Sequence, residues 1–201
     1  MNRILKSISF LFHPLLMPLI GVTFYFSKSP RYIPWQLINA KIISVAILSI
    51  ILPILLYFLL KTLGKVNSIH LQTTKERIFP LIVNCFIILL ILRKIFPANE
   101  IIELYYFFVG ILTSTLACLI LAILKFKASI HMMAIAGVFM FFLALSIHFS
   151  ININGTLAII TILIGAIATS RLHLNAHTYT ELIVGFFIGL FPQLILLNYW
   201  L

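Results

Sequence analysis

The chain contains no aspartate, and glutamate occupies only four of its 201 positions, Glu76, Glu100, Glu103 and Glu181. Magnesium sites lean on carboxylates, so most of them are excluded, and little remains for a mechanism built on paired carboxylates. Only two cysteines occur, Cys85 and Cys118. Both fall inside apolar runs, where a thiol packs as a small hydrophobe and forms no disulfide. Charge is scarce altogether: 9% of residues are charged, against about 25% in an ordinary soluble chain. That is too little polar side chain to cover a water-facing surface, so the expected solvent is lipid. Nor is any connection between apolar runs long enough to hold a soluble module.

What the chain has instead is apolar sequence in long runs, at about 8–27, 42–61, 79–96, 101–124, 132–149, 155–171 and 178–198. A helix needs roughly 20 mostly apolar residues to cross the hydrocarbon core. The runs predict an all-α polytopic membrane protein, a single domain over residues 1–201 with six or seven transmembrane helices. Pro14 and Pro18 break the first run. Arg3 and Lys6 precede it, but no small-residue cleavage site follows, which predicts a retained helix over a signal peptide. The net charge of +10 is spread over short loops with no basic stripe. Anionic lipid head groups are the expected partner, with no nucleic acid and no obligate protein partner.

Alternation of the spans sorts the polar residues. The second, fourth and sixth spans end near Lys61, Lys125 and Arg171 and must open on one side of the membrane. That side gathers His70, Lys75 and Arg77, then Lys125, Lys127, Ser129 and His131, then Ser170, Arg171, His173, His177 and Glu181. The other side carries Lys28, Arg31, Lys41, Arg93, Lys94, Glu100 and Glu103. Cations number nine against five, but several of the nine are candidate ligands, so the positive-inside rule does not orient the chain.

The densest signal is Ser170-Arg-Leu-His-Leu-Asn-Ala-His-Thr-Tyr-Thr-Glu181. If this stretch is helical, His177 and Glu181 are neighbours at i and i+4. A carboxylate there fixes the tautomer of the ring and makes its other nitrogen a better nucleophile. Arg171 offers a planar fork to phosphate oxygens. Ionisable residues at a membrane boundary are costly and mark function.

Ser-Arg, five residues, His, three residues and an acid resembles the third signature of the type 2 phosphatidic acid phosphatase superfamily, which includes lipid phosphate phosphatases and the vanadium haloperoxidases. Ala128-Ser129-Ile130-His131 is similar to the family's second signature, Pro-Ser-Gly-His. The first, Lys-x6-Arg-Pro, has its nearest counterpart in Lys75-Glu76-Arg77 with Pro80 beyond. The resemblance covers about residues 65–190, in the family's order. It implies His177 as the nucleophile forming a phosphohistidine, Glu181 orienting it, and His131 as the acid and then the base. Arg171, Arg77, Ser129 and the Ile130 amide would hold the phosphate, with Ser170 beside them, and no metal or other cofactor is needed. The implied substrate is a lipid phosphate, in a bacterial plasma membrane with the site facing the periplasm.

Departures from the pattern are Glu181 for Asp, Ile130 for Gly, and a missing first lysine: seven positions before Arg77, with six residues between, stands His70. Lys75, Lys125 or Lys127 is left to replace it. Other readings of the same residues stay open. His177 and Glu181 could be a helix-stabilising pair. His173, His177 and Glu181 form an i, i+4, i+8 stripe able to ligate zinc. Lys75, Lys125 and Lys127 could be interfacial anchors, and His13 and His148 could serve helix starts and ends. The alternative function is a catalytically silent relative that binds or moves phospholipids.

Overall fold

In lipid every backbone N–H and C=O must be satisfied within the chain, which confines uncharged apolar runs to helices or closed barrels. The computed structural model describes residues 2–62 and 73–201, so His70 lies outside the described residues. Among the described residues there are nine α-helices and no strand. They are α1 (Asn2–Leu11), α2 (Met17–Lys28), α3 (Trp35–Ala46), α4 (Leu52–Thr62), α5 (Thr74–Lys94), α6 (Ile102–Ile123), α7 (Ile130–His148), α8 (Asn154–His173) and α9 (Tyr179–Leu196).

Six segments are long and apolar enough to cross a membrane: Ser7–Lys28, Trp35–Leu59, Ile102–Ile123, Ile130–His148, Asn154–His173 and Tyr179–Tyr199. The remaining predicted run is α5, whose 21 residues carry Lys75, Glu76, Arg77, Arg93 and Lys94 toward its ends. The chain is an all-α polytopic membrane protein. Large apolar side chains stand exposed along its flanks, among them Ile51, Leu55, Phe58, Ile120, Ile162, Phe187 and Ile195. A water-soluble monomer rarely carries apolar patches of that extent. Pro14 breaks the first run as expected, whereas Pro18 is accommodated in the first turn of α2, where no backbone donor is needed. α1 stops at Leu11, a single 3₁₀ turn covers Pro14–Leu16, and α2 begins at Met17, because proline removes a backbone donor and clashes inside a helix.

α7 is the most buried of the six spans and packs against α9, α8, α2 and α6. Two glycines one turn apart on α9 permit the closest of these approaches. A Cβ on Gly185 would sit 2.6 Å from the Ser129 carbonyl oxygen, and one on Gly189 would overlap the Met133 carbonyl. In lipid, where apolar burial does not drive helices together, such small-residue seams do. Hydrogen bonds reinforce the contact of α6 with α9: Ser114 Oγ donates to the Ile188 carbonyl (2.9 Å) and Gln193 Nε2 to that of Phe107 (2.9 Å). Cys85 and Cys118 are buried and unpaired, as expected.

One end of the bundle is held by balanced charge. Glu103 is wholly buried, its oxygens 2.7 Å from Arg31 Nη2 and 3.2 Å from His148 Nε2, and it accepts from the Tyr25 hydroxyl (3.3 Å). His148 therefore partners a carboxylate as well as ending α7. Lys41 pairs with Glu100 at 2.6 Å, donates to the Ile95 carbonyl and lies over the Phe96 ring. Trp200 is buried against Phe141 and His148.

Candidate functional site

The other end is built from chain reversals. α6 ends with Lys125 in the left-handed region (φ 64°), where the Lys125 N–H donates to the Ala122 carbonyl and the Phe126 N–H to that of Leu121. α8 ends in the same way at Asn175 (φ 49°), with Asn175 bonded to Leu172 and Ala176 to Arg171. Both are Schellman caps, which use up orphan carbonyls and turn the chain sharply. Asparagine tolerates the left-handed region better than most residues, because its short side chain can bond locally.

The two following helices are tied at their starts. The Ser129 N–H donates to the Glu181 carbonyl oxygen at 3.0 Å, an approach that Gly185 permits. Ser129 caps α7, its buried Oγ accepting from the Met132 N–H at 3.4 Å. Ile130 opens the helix at negative φ, so the glycine of the resembled signature is not needed for backbone reasons.

His177 and Glu181 are in contact but not one turn apart on a helix, as the spacing predicted. The Schellman cap ends α8 first, and His177 precedes the N-cap of α9, Thr178. The contact arises from a capping box. Thr178 Oγ1 accepts from the Glu181 N–H, while Glu181 Oε2 accepts from the Thr178 N–H at 3.1 Å and from His177 Nδ1 at 2.8 Å. With Nδ1–H donated to a carboxylate, the neutral ring has its lone pair on Nε2. The stripe proposed for zinc is broken by the same cap: among the described residues no three His, Cys, Asp or Glu side chains form a metal-holding group.

Cations surround this pair. Arg77, only 5% exposed, donates to the Ala128 carbonyl at 2.9 Å. Lys127 Nζ donates to the carbonyl of Ala176, the residue before His177, at 3.0 Å. Arg171 lies in the last turn of α8, its Nε buried and, among the described residues, without a hydrogen-bond partner. The Arg77 and Arg171 charges act on each other, on His177 and on Lys127, and Arg171 also acts on His131. Desolvation holds the His177 imidazole down at about 4, helped by both arginines and opposed by its bond to Glu181. Lys127 is pushed below its ordinary value by burial first and then by the Arg77 charge.

Three cations thus face one carboxylate. The chain's other carboxylates are engaged elsewhere: Glu76 closes the capping box of α5 with Thr73, Glu100 pairs with Lys41, and Glu103 with Arg31. A partly buried cluster with two positive charges in excess favours an anion.

His131 lies in the first turn of α7, linked electrostatically to Arg171, His13 and His177. Its Nε2 lies 3.2 Å from the Ser9 carbonyl oxygen, so that nitrogen carries the proton and donates. His13, which caps the 3₁₀ turn by accepting from the Leu15 N–H, sets its ring edge-on to His131 with centroids 5.5 Å apart.

Of the candidates, His131, His177, Glu181, Arg171 and Arg77 come together with Ser129 and Ile130 at the base. Lys75 stands exposed in the first turn of α5, with no hydrogen bond to another described residue; Lys127 is the lysine that reaches the cluster. Ser170 turns to α1, donating to the Leu5 carbonyl at 2.6 Å and meeting Ser9 Oγ at 2.7 Å. Sequence reasoning missed Ser9 and the contact of His13 with His131, since nothing local signals a contact across more than 100 residues. It also passed over Gly185 and Gly189, whose Gly-x3-Gly spacing was legible. No protein-family model, curated protein or solved structure matches the chain.

Proposed function

We propose that the protein is a metal-independent membrane phosphatase that hydrolyses a lipid phosphomonoester or pyrophosphate through a phosphohistidine. One observation carries this reading. A desolvated imidazole with its Nε2 lone pair directed away from the Glu181 bond sits among Arg77, Arg171 and Lys127, and Glu181 is the carboxylate among the described residues that faces them. A phosphate dianion would neutralise the surplus, and the unpaired Arg171 Nε–H can donate to one of its oxygens.

His177 Nε2 attacks phosphorus as the bond to the lipid oxygen breaks. His131, protonated at both nitrogens once the anion binds, passes its Nε2 proton to that oxygen, and the lipid alcohol leaves. Water then attacks the phosphohistidine. His131 takes a proton from the water, the P–N bond breaks, and phosphate departs with His177 restored. The arginines and Lys127 hold the equatorial oxygens as charge develops. The lipid tail stays in the bilayer beside the bundle. By its resemblance, we place the protein in a bacterial plasma membrane with the site facing the periplasm.

Purified protein in detergent, offered phosphatidate, phosphatidylglycerophosphate and polyprenyl pyrophosphate, should release phosphate from at least one of them and lose that activity in His177→Ala. Full activity in the variant overturns the assignment. The second reading is a silent relative that binds phospholipids, favoured by the Ser9 carbonyl on His131. It predicts saturable lipid-phosphate binding and no phosphate release.

A further inference from the structure

We propose that α1 is an autoinhibitory lid, which parks the Ser9 carbonyl on His131 and must swing away about the His13–Pro14 junction before a lipid phosphate can react. The proposal rests on the phosphatase reading for its consequence, though not for its geometry.

Three observations carry it. First, the Ser9 carbonyl oxygen occupies the hydrogen-bonding position at His131 Nε2 (3.2 Å) that a leaving-group oxygen must take to receive the proton. Both oxygens cannot be there at once. Second, α1 is held shut by side chains that belong to the site's own framework. Ser170, next to Arg171, donates its hydroxyl to the Leu5 carbonyl and meets Ser9 Oγ, and both hydroxyls are buried. These are neutral hydrogen bonds. Third, α1 is mechanically separate from α2. The helix ends at Leu11, and Pro14 and a 3₁₀ turn follow before Met17. His13 caps that turn through Nδ1, so the hinge keeps its own hydrogen bond whatever α1 does. Phe10 and Leu11, 82% and 64% exposed, face away from the bundle. With Phe10 and Leu11 in lipid, α1 has only its partly buried face, Ile8 included, to free from the bundle before it shifts along the membrane surface.

A tether tests this. Ser9 and Ser170 touch through their hydroxyls, so a Ser9→Cys, Ser170→Cys double variant can be closed by oxidation and opened by reductant. The primary readout is carbethoxylation of His131 by diethyl pyrocarbonate, followed by mass spectrometry, which requires access to the ring but no enzymatic activity. The expected result is modification several-fold slower in the oxidised form and restored on reduction. Equal rates in the two forms overturn the lid. If the double variant does not fold or crosslink, Ser9→Ala decides: it removes the latch and should speed His131 modification several-fold over the unaltered protein, and an unchanged rate overturns the proposal. Release of phosphate from phosphatidate is measured in parallel. A rate that follows the redox state supports both readings. Redox-dependent labelling with no phosphate release, from the unaltered protein either, keeps the lid and overturns the phosphatase.

Discussion

His177 Nδ1 and Glu181 Oε2 lie 2.8 Å apart across a helix start, not along a helix, and the carboxylate that receives the ring proton also closes the cap of α9. Glu181 is thereby held by the Thr178 backbone before it meets the histidine. Glu181→Gln keeps an acceptor at nearly the same place but removes the charge that stabilises the developing imidazolium. The expected outcome is a fall in kcat of roughly 10²- to 10⁴-fold, the range of acid–base effects, with a much smaller change in KM. A loss confined to KM would mean that Glu181 only shapes the binding surface.

The environment of His177 also fixes its pH behaviour. Its folded value, about 4, lies below the ordinary 6.5 because burial and the arginine charges disfavour the cation. The imidazole is therefore neutral, and competent as a nucleophile, through the whole range from 6.5 down to about 4. Between those values the unfolded chain binds the extra proton, so this residue makes stability rise with pH across that window. NMR of ¹⁵N-histidine-labelled protein in detergent should find the His177 ring neutral at pH 5.5, with Nδ1 protonated. A ring that titrates with a midpoint near 6.5 would contradict the desolvated site.

Two excess positive charges beside a neutral imidazole should make inorganic phosphate or vanadate a stabilising ligand. A ligand that binds only the folded state adds RT ln(1 + [L]/Kd), about 2.7 kcal/mol at a hundredfold excess over Kd. The melting temperature should rise with phosphate and rise less in Arg171→Leu. A Tm indifferent to phosphate and vanadate, at concentrations where sulfate and chloride are also without effect, would show that the cations bind no oxyanion.

Lys75 and Lys127 separate what the sequence could and could not place. Lys127→Met should raise KM for a lipid phosphate several-fold, whereas Lys75→Met, altering an exposed residue, should leave it unchanged. The reverse result would put the missing cation back on α5.

The long apolar runs and the order of polar junctions were legible because lipid leaves so few ways to satisfy a backbone, and Arg171, His177 and Glu181 share one short stretch of chain. Less legible was how His177 reaches Glu181. Spacing alone suggested a helical pair, but Asn175 in the left-handed region ends α8 first, and only the Thr178 cap restores the contact. Lys125 hides its neighbouring chain reversal in the same way, since a lysine is not a usual sign of a Schellman cap. The position of α1 over His131 was illegible, because it depends on main-chain oxygens at Leu5 and Ser9 that carry no side-chain signature.

Gly185 and Gly189 lead to the last prediction, which concerns the frame and not the chemistry. A methyl group at Gly189 must displace the Met133 carbonyl, so α7 and α9 have to part where they pack most closely. In a helix, alanine is intrinsically better than glycine by up to about 1 kcal/mol, and overpacking costs about 1–3 kcal/mol; here the second term wins. Gly189→Ala should lower the melting temperature in detergent and slow phosphate release together, since the Ser129–Glu181 tie lies on the same seam. Gly165 is the control. A Cβ there meets nothing within 4 Å, so Gly165→Ala should hold or raise the melting temperature. If both substitutions stabilise equally, α7 and α9 do not touch along this seam, and the frame that brings His131 to His177 falls with it.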